Sequence, residues 1–232
     1  LQNGVDNVGR IRAAAPGLVA LAAMVPFNVT LDPMPDGRLV VRRTTSGTLH
    51  AEDHAATRIV APVFASAGLP LHLVADMTPI QWGKLLLNLN NPVNAASGQP
   101  LRDELMDRDY RRALALLQDE ALAAMTAAGI RPGKVGAAPP RLIPFILRLP
   151  TWAFSHIAAS MLTIGPTARS SMADDVAAGR ATEIDDLCGA VVRLAEAHGG
   201  TAPANAAMAR ITTMLRPGDR ISGKDLLQRL SA

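Results

Sequence analysis

The sequence predicts an α/β segment followed by an all-α segment, and three observations carry that reading. Apolar runs rich in β-branched residues and separated by turn residues are confined to positions 1–78. From Pro79 onward these runs stop, and Ala, Leu and Met recur at spacings of three and four. Of the 232 residues, 49% are hydrophobic and 19% charged, which supports a sizeable core and excludes a disordered chain.

In the first segment, residues 5–15 are helix-like, 18–29 form a strand-like apolar run, and 38–48 alternate as a strand does, as in Arg38-Leu39-Val40-Val41-Arg42. Pro33-Met34-Pro35-Asp36-Gly37 between them is turn chemistry and predicts an antiparallel hairpin. Residues 55–68 are helix-like and lead into 71–75, a short apolar run that reads as a last strand. In the second segment the clearest helix spans 108–128. Tyr110, Leu114, Leu117, Ala121, Ala124 and Ala128 form its core stripe, and Gly129 stands just beyond its end. Residues 132–140 are a Pro- and Gly-rich connection. Positions 142–149, 152–162, 169–178, 183–198 and 203–215 read as further helices, and 216–232 as a charged tail with room for a short one.

Several function classes fall away on composition and motifs. A formal charge of only +3 is no nucleic-acid stripe, so no nucleic-acid partner is expected. The most apolar stretch, 149–165, is interrupted by Pro150, Ser155, His156 and Ser160 and is shorter than the roughly 20 residues a bilayer span needs, so no membrane partner is expected either. The single cysteine, Cys188, rules out an internal disulfide framework and fits a reducing cytoplasm. It lies in a helical run beside Leu187, Ala190 and Val191, where it reads as a small buried hydrophobe. His50 and His54 are four apart, but no Glu directly follows His50, as the zinc-protease pattern requires. A solvated strand-to-helix turn is the better reading, with Asp53 as the helix cap, and no metal is expected. There is no G-x-S-x-G elbow, no Walker loop and no G-x-G-x-x-G.

Two segments carry chemistry. In Gln81-Trp82-Gly83-Lys84-Leu85-Leu86-Leu87-Asn88-Leu89-Asn90-Asn91-Pro92, a lysine and several amides interrupt an apolar helix. Lys84, Asn88 and Asn91 are spaced 0, 4 and 7, which places them on one helical face. Amides beside a lysine suit the binding of oxygens, and a solvent-facing stripe is the alternative. The other segment is Ser170-Ser171-Met172-Ala173-Asp174-Asp175, followed by Gly179-Arg180-Ala181-Thr182-Glu183-Ile184-Asp185. Thr182 and Asp185 match a capping box, which makes Thr182 the N-cap and Glu183 the first helical residue. A carboxylate there is favoured by the helix dipole and can still point into a cleft, the alternative being a plain helix-terminus charge.

Both segments resemble the C-terminal helical domain of the ketopantoate reductase family, with its K-x-x-x-N helix and its S-S-M-x-x-D and T-E-I-D pair. The likeness extends along the chain: Leu1-Gln2-Asn3-Gly4 is similar to the family's Q-N-G turn after a Rossmann strand, and 189–199 continue its G-A-V-V-R-L-A-x-x-H-G pattern. The resemblance implies the remaining part of a Rossmann-like NADP-binding domain at 1–78, an all-α substrate domain at 79–215 and the tail at 216–232. It implies NADPH-dependent reduction of the 2-keto acid ketopantoate to pantoate, in pantothenate biosynthesis. Lys84 is then the general acid, Glu183 hydrogen-bonds the substrate, Asn88 and Ser171 bind it, and Asn3 lies near the nicotinamide ribose. Asn91 is a further substrate-binding candidate, although in many members the second asparagine falls one position later, where Pro92 stands. The family's N-terminal glycine loop is absent before Leu1, which has neither an initiator Met nor a basic leader, so the start reads as a cut and the chain as written is expected to be inactive. A related reductase of another 2-keto acid, a non-catalytic helical interaction protein and a homodimer remain open at this point.

Overall fold

The structure is a computed structural model and describes every residue except 1, 2, 28, 44, 45, 135–137, 160, 161, 163 and 164. The chain folds as two compact units, Leu1–Gln81 and Trp82–Ala232. The α/β segment followed by an all-α segment is therefore the observed fold class.

The first unit contains helix α1 (Asn7–Ala14) and strands β1 (Ala23–Met24), β2 (Val29–Pro33), β3 (Leu39–Arg43) and β4 (Leu49–Glu52), then helix α2 (Ala55–Ser66) and strand β5 (Leu71–Val74). The sheet order is β1-β4-β5, with β1 antiparallel and β5 parallel to β4, so β4, α2 and β5 form a crossover unit. Alternation along β4 buries Leu49 and Ala51, and Ala22, Met24 and Met77 close a small core with Val8, Val74 and Ile80. The expected hairpin is present as β2 paired antiparallel with β3. Its turn closes through the Gly37 N–H donating to the Met34 carbonyl, with Gly37 at φ 82°, a conformation only glycine adopts without strain.

The apolar run at 18–29 yields far less ladder than its composition suggests. Only Ala23 and Met24 pair with β4, because Pro26 has no N–H to continue the ladder, and Leu18 and Val19 stay exposed. Asn28 of that run, and Thr44 and Thr45 of the next, lie outside the described residues. The His50-to-His54 segment is a strand-to-helix turn as expected, but the cap is His54 and not Asp53. His54 Nδ1 accepts from the Ala56 N–H, and Thr57 returns the bond to the His54 N–H, while Asp53 is drawn off by Arg58. His50 instead lies against His72 on the neighbouring strand, and burial holds its pKa below the usual value.

Helix α3 (Thr78–Asn88) begins in the first unit and continues into the second, which is helical: α4 (Asn90–Ser97), α5 (Leu101–Met106), α6 (Arg108–Ala127), α7 (Ile143–Arg148), α8 (Thr151–Ile157), α9 (Ser171–Ala177), a π-helical turn (Asp185–Gly189) continuing into α10 (Ala190–Ala197), α11 (Pro203–Met214) and α12 (Gly223–Leu230). Its axis is α6. Asp107 caps its start, Gly129 at φ 70° follows its end, and Tyr110, Leu114, Leu117, Ala121 and Ala124 are buried along the expected stripe. Against it pack α7, α10 and α12. The helix expected at 152–162 ends at Ile157, and positions 160 and 161 lie outside the described residues, as do 135–137 of the Pro- and Gly-rich connection.

Residues 216–232 are an integral part of this unit and not a loose tail. Leu226 and Leu230 of α12 are buried, and the Tyr110 hydroxyl donates to the Ile221 carbonyl at 2.7 Å. Gly223 faces Asp109 and Tyr110 so closely that a Cβ there would meet them at 3.1 Å. Their charge suggests a solvated tail, but the buried face of α12 rests on few apolar side chains and so leaves little trace in the composition. Among the described residues no helix is long and apolar enough to cross a membrane.

Arg111 is fully buried inside α6 and unites four helices. Its guanidinium donates to the carbonyls of Leu105, Met106, Leu147 and Leu149 and lies 4.3 Å from the Phe154 ring centroid. Truncation would leave several buried carbonyls unsatisfied. Arg111→Ala is expected to lower the unfolding free energy by about 3 kcal/mol or more in urea titrations, whereas the exposed neighbour Arg112→Ala should change it by less than about 0.5 kcal/mol.

Candidate functional site

The lysine helix stops where its sequence forces it to. Pro92 has no N–H for the Asn88 carbonyl, and its ring crowds the preceding turn, so the helical run breaks at Leu89 into α3 and α4. Near the break the Gln118 side chain donates to the Leu86 carbonyl at 2.9 Å. Lys84 and Asn88 therefore share one face of α3, a turn apart, as expected. Asn91 does not join them by that periodicity, because it belongs to α4.

Lys84 is half-buried between Gly83 and Leu85, which are buried. Burial lowers its pKa from the ordinary 10.5, and the negative charge of Glu183 pulls it partly back. The fold thus brings Lys84 and Glu183 within electrostatic reach, although they are far apart in sequence. Glu183 itself is one position earlier in its helix than expected. The helix begins at Ile184, so Glu183 takes the cap position, its carbonyl accepting from the Asp186 N–H at 3.0 Å. Asp185, assigned by sequence to a capping box with Thr182, is engaged by Arg193 at 2.9 Å. Gly189 lies beneath that pair, where any Cβ would collide with it. The π turn that begins two residues after Glu183 is a rare element that recurs at functional sites.

Ser171 is the first residue of α9 and is exposed, while its neighbour Ser170 is buried and acts as the cap, its Oγ accepting from the Ala173 N–H at 3.1 Å. Ser170 is tied to the lysine-bearing region twice. Its N–H donates to Asn94 Oδ1 at 2.9 Å, and its hydroxyl donates to the Asn91 carbonyl at 3.2 Å. Asn94 Nδ2 in turn donates to the Gln99 carbonyl at 3.0 Å and to Glu104 Oε2 at 3.1 Å, and Asn90 Nδ2 reaches the same oxygen at 3.2 Å. Sequence reasoning missed Asn94, Ser170 and Glu104. The only signal was an acid beside Leu105, and that pattern is common on helix surfaces.

Asn3 belongs to the first unit, where it is exposed in the turn ahead of α1, with its carbonyl accepting from Asn7 Nδ2 at 2.6 Å and Gly4 at φ 90°. Leu1 and Gln2 of the same motif lie outside the described residues. Cys188 is fully buried, and burial pushes its thiol pKa up, which makes it a poor nucleophile. Among the described residues no group of three potential metal ligands converges.

The chain thus joins an α/β unit with a parallel crossover to a helical unit that sets a half-buried lysine near a carboxylate. Similarity to known proteins shows the family to which such a chain belongs. Residues 76–216 match the family described as "Ketopantoate reductase PanE/ApbA C terminal". The chain is 29% identical over 208 residues to a 2-dehydropantoate 2-reductase of Caulobacter vibrioides, covering 89% of itself and 63% of that protein. It is 28% identical to the Pyrobaculum aerophilum enzyme of the same name, covering 89% and 65%. A PanE/ApbA family ketopantoate reductase from Ralstonia eutropha JMP134 superposes with a TM-score of 0.70 at 26% identity, covering 93% of this chain and 65% of that one. This chain belongs to the ketopantoate reductase family. It spans a little under two thirds of the length of the curated relatives it matches.

Glu104 is fully buried, and burial pushes its carboxyl up from 4.5 to about 8, Asn94 and Asn90 opposing the shift and Asp107 adding to it. The folded state therefore holds a proton that the unfolded chain releases at lower pH. The resulting stabilisation is complete below the unfolded value and is lost as pH rises through about 8. Urea midpoints measured from about pH 5 to pH 9 should fall for the wild type, and Glu104→Gln should flatten that slope.

Proposed function

We propose that this chain is the substrate-binding part of a 2-dehydropantoate 2-reductase, which reduces ketopantoate to pantoate with NADPH in pantothenate biosynthesis. The observation that carries this reading is Lys84, half-buried, with its pKa lowered by burial and with Glu183 near it. Reducing a ketone places negative charge on its oxygen. A cation held there stabilises the transition state more than the ground state, and a lysine with a lowered pKa gives up its proton more readily. Lys84 is the general acid in this reading. Glu183 accepts a hydrogen bond from the substrate hydroxyl, and Asn88, Asn91 and Ser171 supply donors for the carboxylate and hydroxyl.

The cofactor assignment rests on family membership. Of the groups that would touch a dinucleotide, this chain contributes Asn3 at the turn ahead of α1. The phosphate-cradling glycine loop is not among the residues of the given sequence.

Steady-state kinetics on the protein with its nucleotide-binding half in place test the reading. Lys84→Ala should lower kcat/KM for ketopantoate by about 10² to 10⁴-fold, and near-normal turnover would remove Lys84 from the chemistry. The alkaline limb of the wild-type rate profile should fall below the ordinary lysine value of 10.5, because the proton donor is lost as pH passes its lowered pKa. A panel of 2-oxo acids under NADPH oxidation separates ketopantoate from related substrates.

A further inference from the structure

We propose that Glu104 is a positioning residue for the substrate-binding edge: it orients the Asn94 carboxamide, and through Asn94 and Ser170 it fixes the start of α9 that presents Ser171. The inference rests on the reading of Ser171 given under Proposed function.

A hydrogen-bonded chain carries it. Glu104 is 0% exposed, and its Oε2 accepts from both Asn90 Nδ2 and Asn94 Nδ2. The orientation of Asn94 matters because its two ends are chemically opposite. With Nδ2 held by Glu104 Oε2 and the Gln99 carbonyl, Oδ1 faces the Ser170 N–H at 2.9 Å. Reversing the amide would set its NH2 against that N–H, donor against donor, in a site with no exposed surface. Two acceptors enforce the working orientation, and Glu104 is the one supplied by a side chain. Ser170 then transmits it by capping α9 and bonding the Asn91 carbonyl.

A carboxyl suits this task in its neutral form. Among the described ion pairs none involves Glu104, and an uncompensated buried carboxylate is costly. The titratable groups that interact with it are Asp107, which caps α6 and adds negative charge, and Tyr110, buried on α6. The neutral carboxyl keeps an acceptor oxygen for the amides and adds a proton on its other oxygen. Glutamine offers the same pair of functions, and alanine neither.

The first measurement uses the 232-residue chain and needs no substrate. In Glu104→Ala, hydrogen exchange at the Ser170 amide should accelerate by about tenfold or more relative to a core amide of α6, while Glu104→Gln should match the wild type. Should Glu104→Ala fail to fold, Asn94→Ala, which removes the acceptor itself, decides the point by the same readout. Unchanged Ser170 protection in the variant that folds would overturn the proposal. In the protein with its nucleotide-binding half in place, Glu104→Ala should raise KM for ketopantoate about tenfold with kcat within about threefold, and Glu104→Gln should restore it. A purely structural role would lower stability and leave KM where it was, and that result would also overturn the proposal. If the wild type did not turn over ketopantoate, the reading under Proposed function would fall, and the exchange measurement alone would decide this one.

Discussion

The carboxamide of Asn94 is the joint on which the arrangement of three segments of the helical unit depends. It satisfies three partners at once, on the loop after its own helix, on α5 and at the head of α9. Such a joint is useful only in a dry interior, where a misplaced donor costs far more than in water. Helix α4 provides that interior: from Pro92 to Ser97 it is buried, and Asn94 itself is 0% exposed. A short helix of small residues thus places one polar group deep in the unit, and polar side chains arrive from α5 and from the start of α9.

A different interaction holds the scaffold. Arg111 gathers carbonyls from the ends of α5 and α7, where helices leave acceptors without intrahelical partners. Glu120 does the converse at the start of α11, accepting from the N–H groups of Ala204 and Asn205 at 2.8 and 2.9 Å. One charge of each sign, both on α6, thereby satisfies helix ends that the sequence alone leaves open. Neither group lies among the candidate site residues, so the parts that hold the unit together are distinct from the candidate site.

What the sequence made legible follows from how local each signal is. Periodicity located α6 to within a residue because its stripe from Tyr110 to Ala124 packs over its whole length. Gly37 and the prolines beside it located the hairpin for a similar reason, since a turn is decided by its own residues. The run at 18–29 reads as a longer strand than it forms, because its apolar composition outweighs Pro26, the residue within it that cannot continue the ladder. At the site, Lys84 and Asn88 stood out as polar residues in an apolar helix. Their relation to Glu183 is set by the path of the chain between them, and no spacing rule reaches that far. Glu104 was invisible because a buried neutral carboxyl and an exposed ionised one are written with the same letter.

The π turn at Asp185–Gly189 separates two requirements that an ordinary helix would bind together. Each α-helical residue advances the side-chain direction by about 100°, so one additional residue in a turn resets the phase of everything after it. Ala190, Val191 and Ala195 of α10 are thus turned into the core on a phase of their own, while Glu183 keeps its direction near Lys84. Removing one residue between Asp185 and Gly189 would restore an α-turn and force a choice, either rotating the core face of α10 away from α6 or swinging Glu183 off the lysine. The wide turn works as a mechanical phase shifter, so the direction of the carboxylate and the buried face of α10 are set independently.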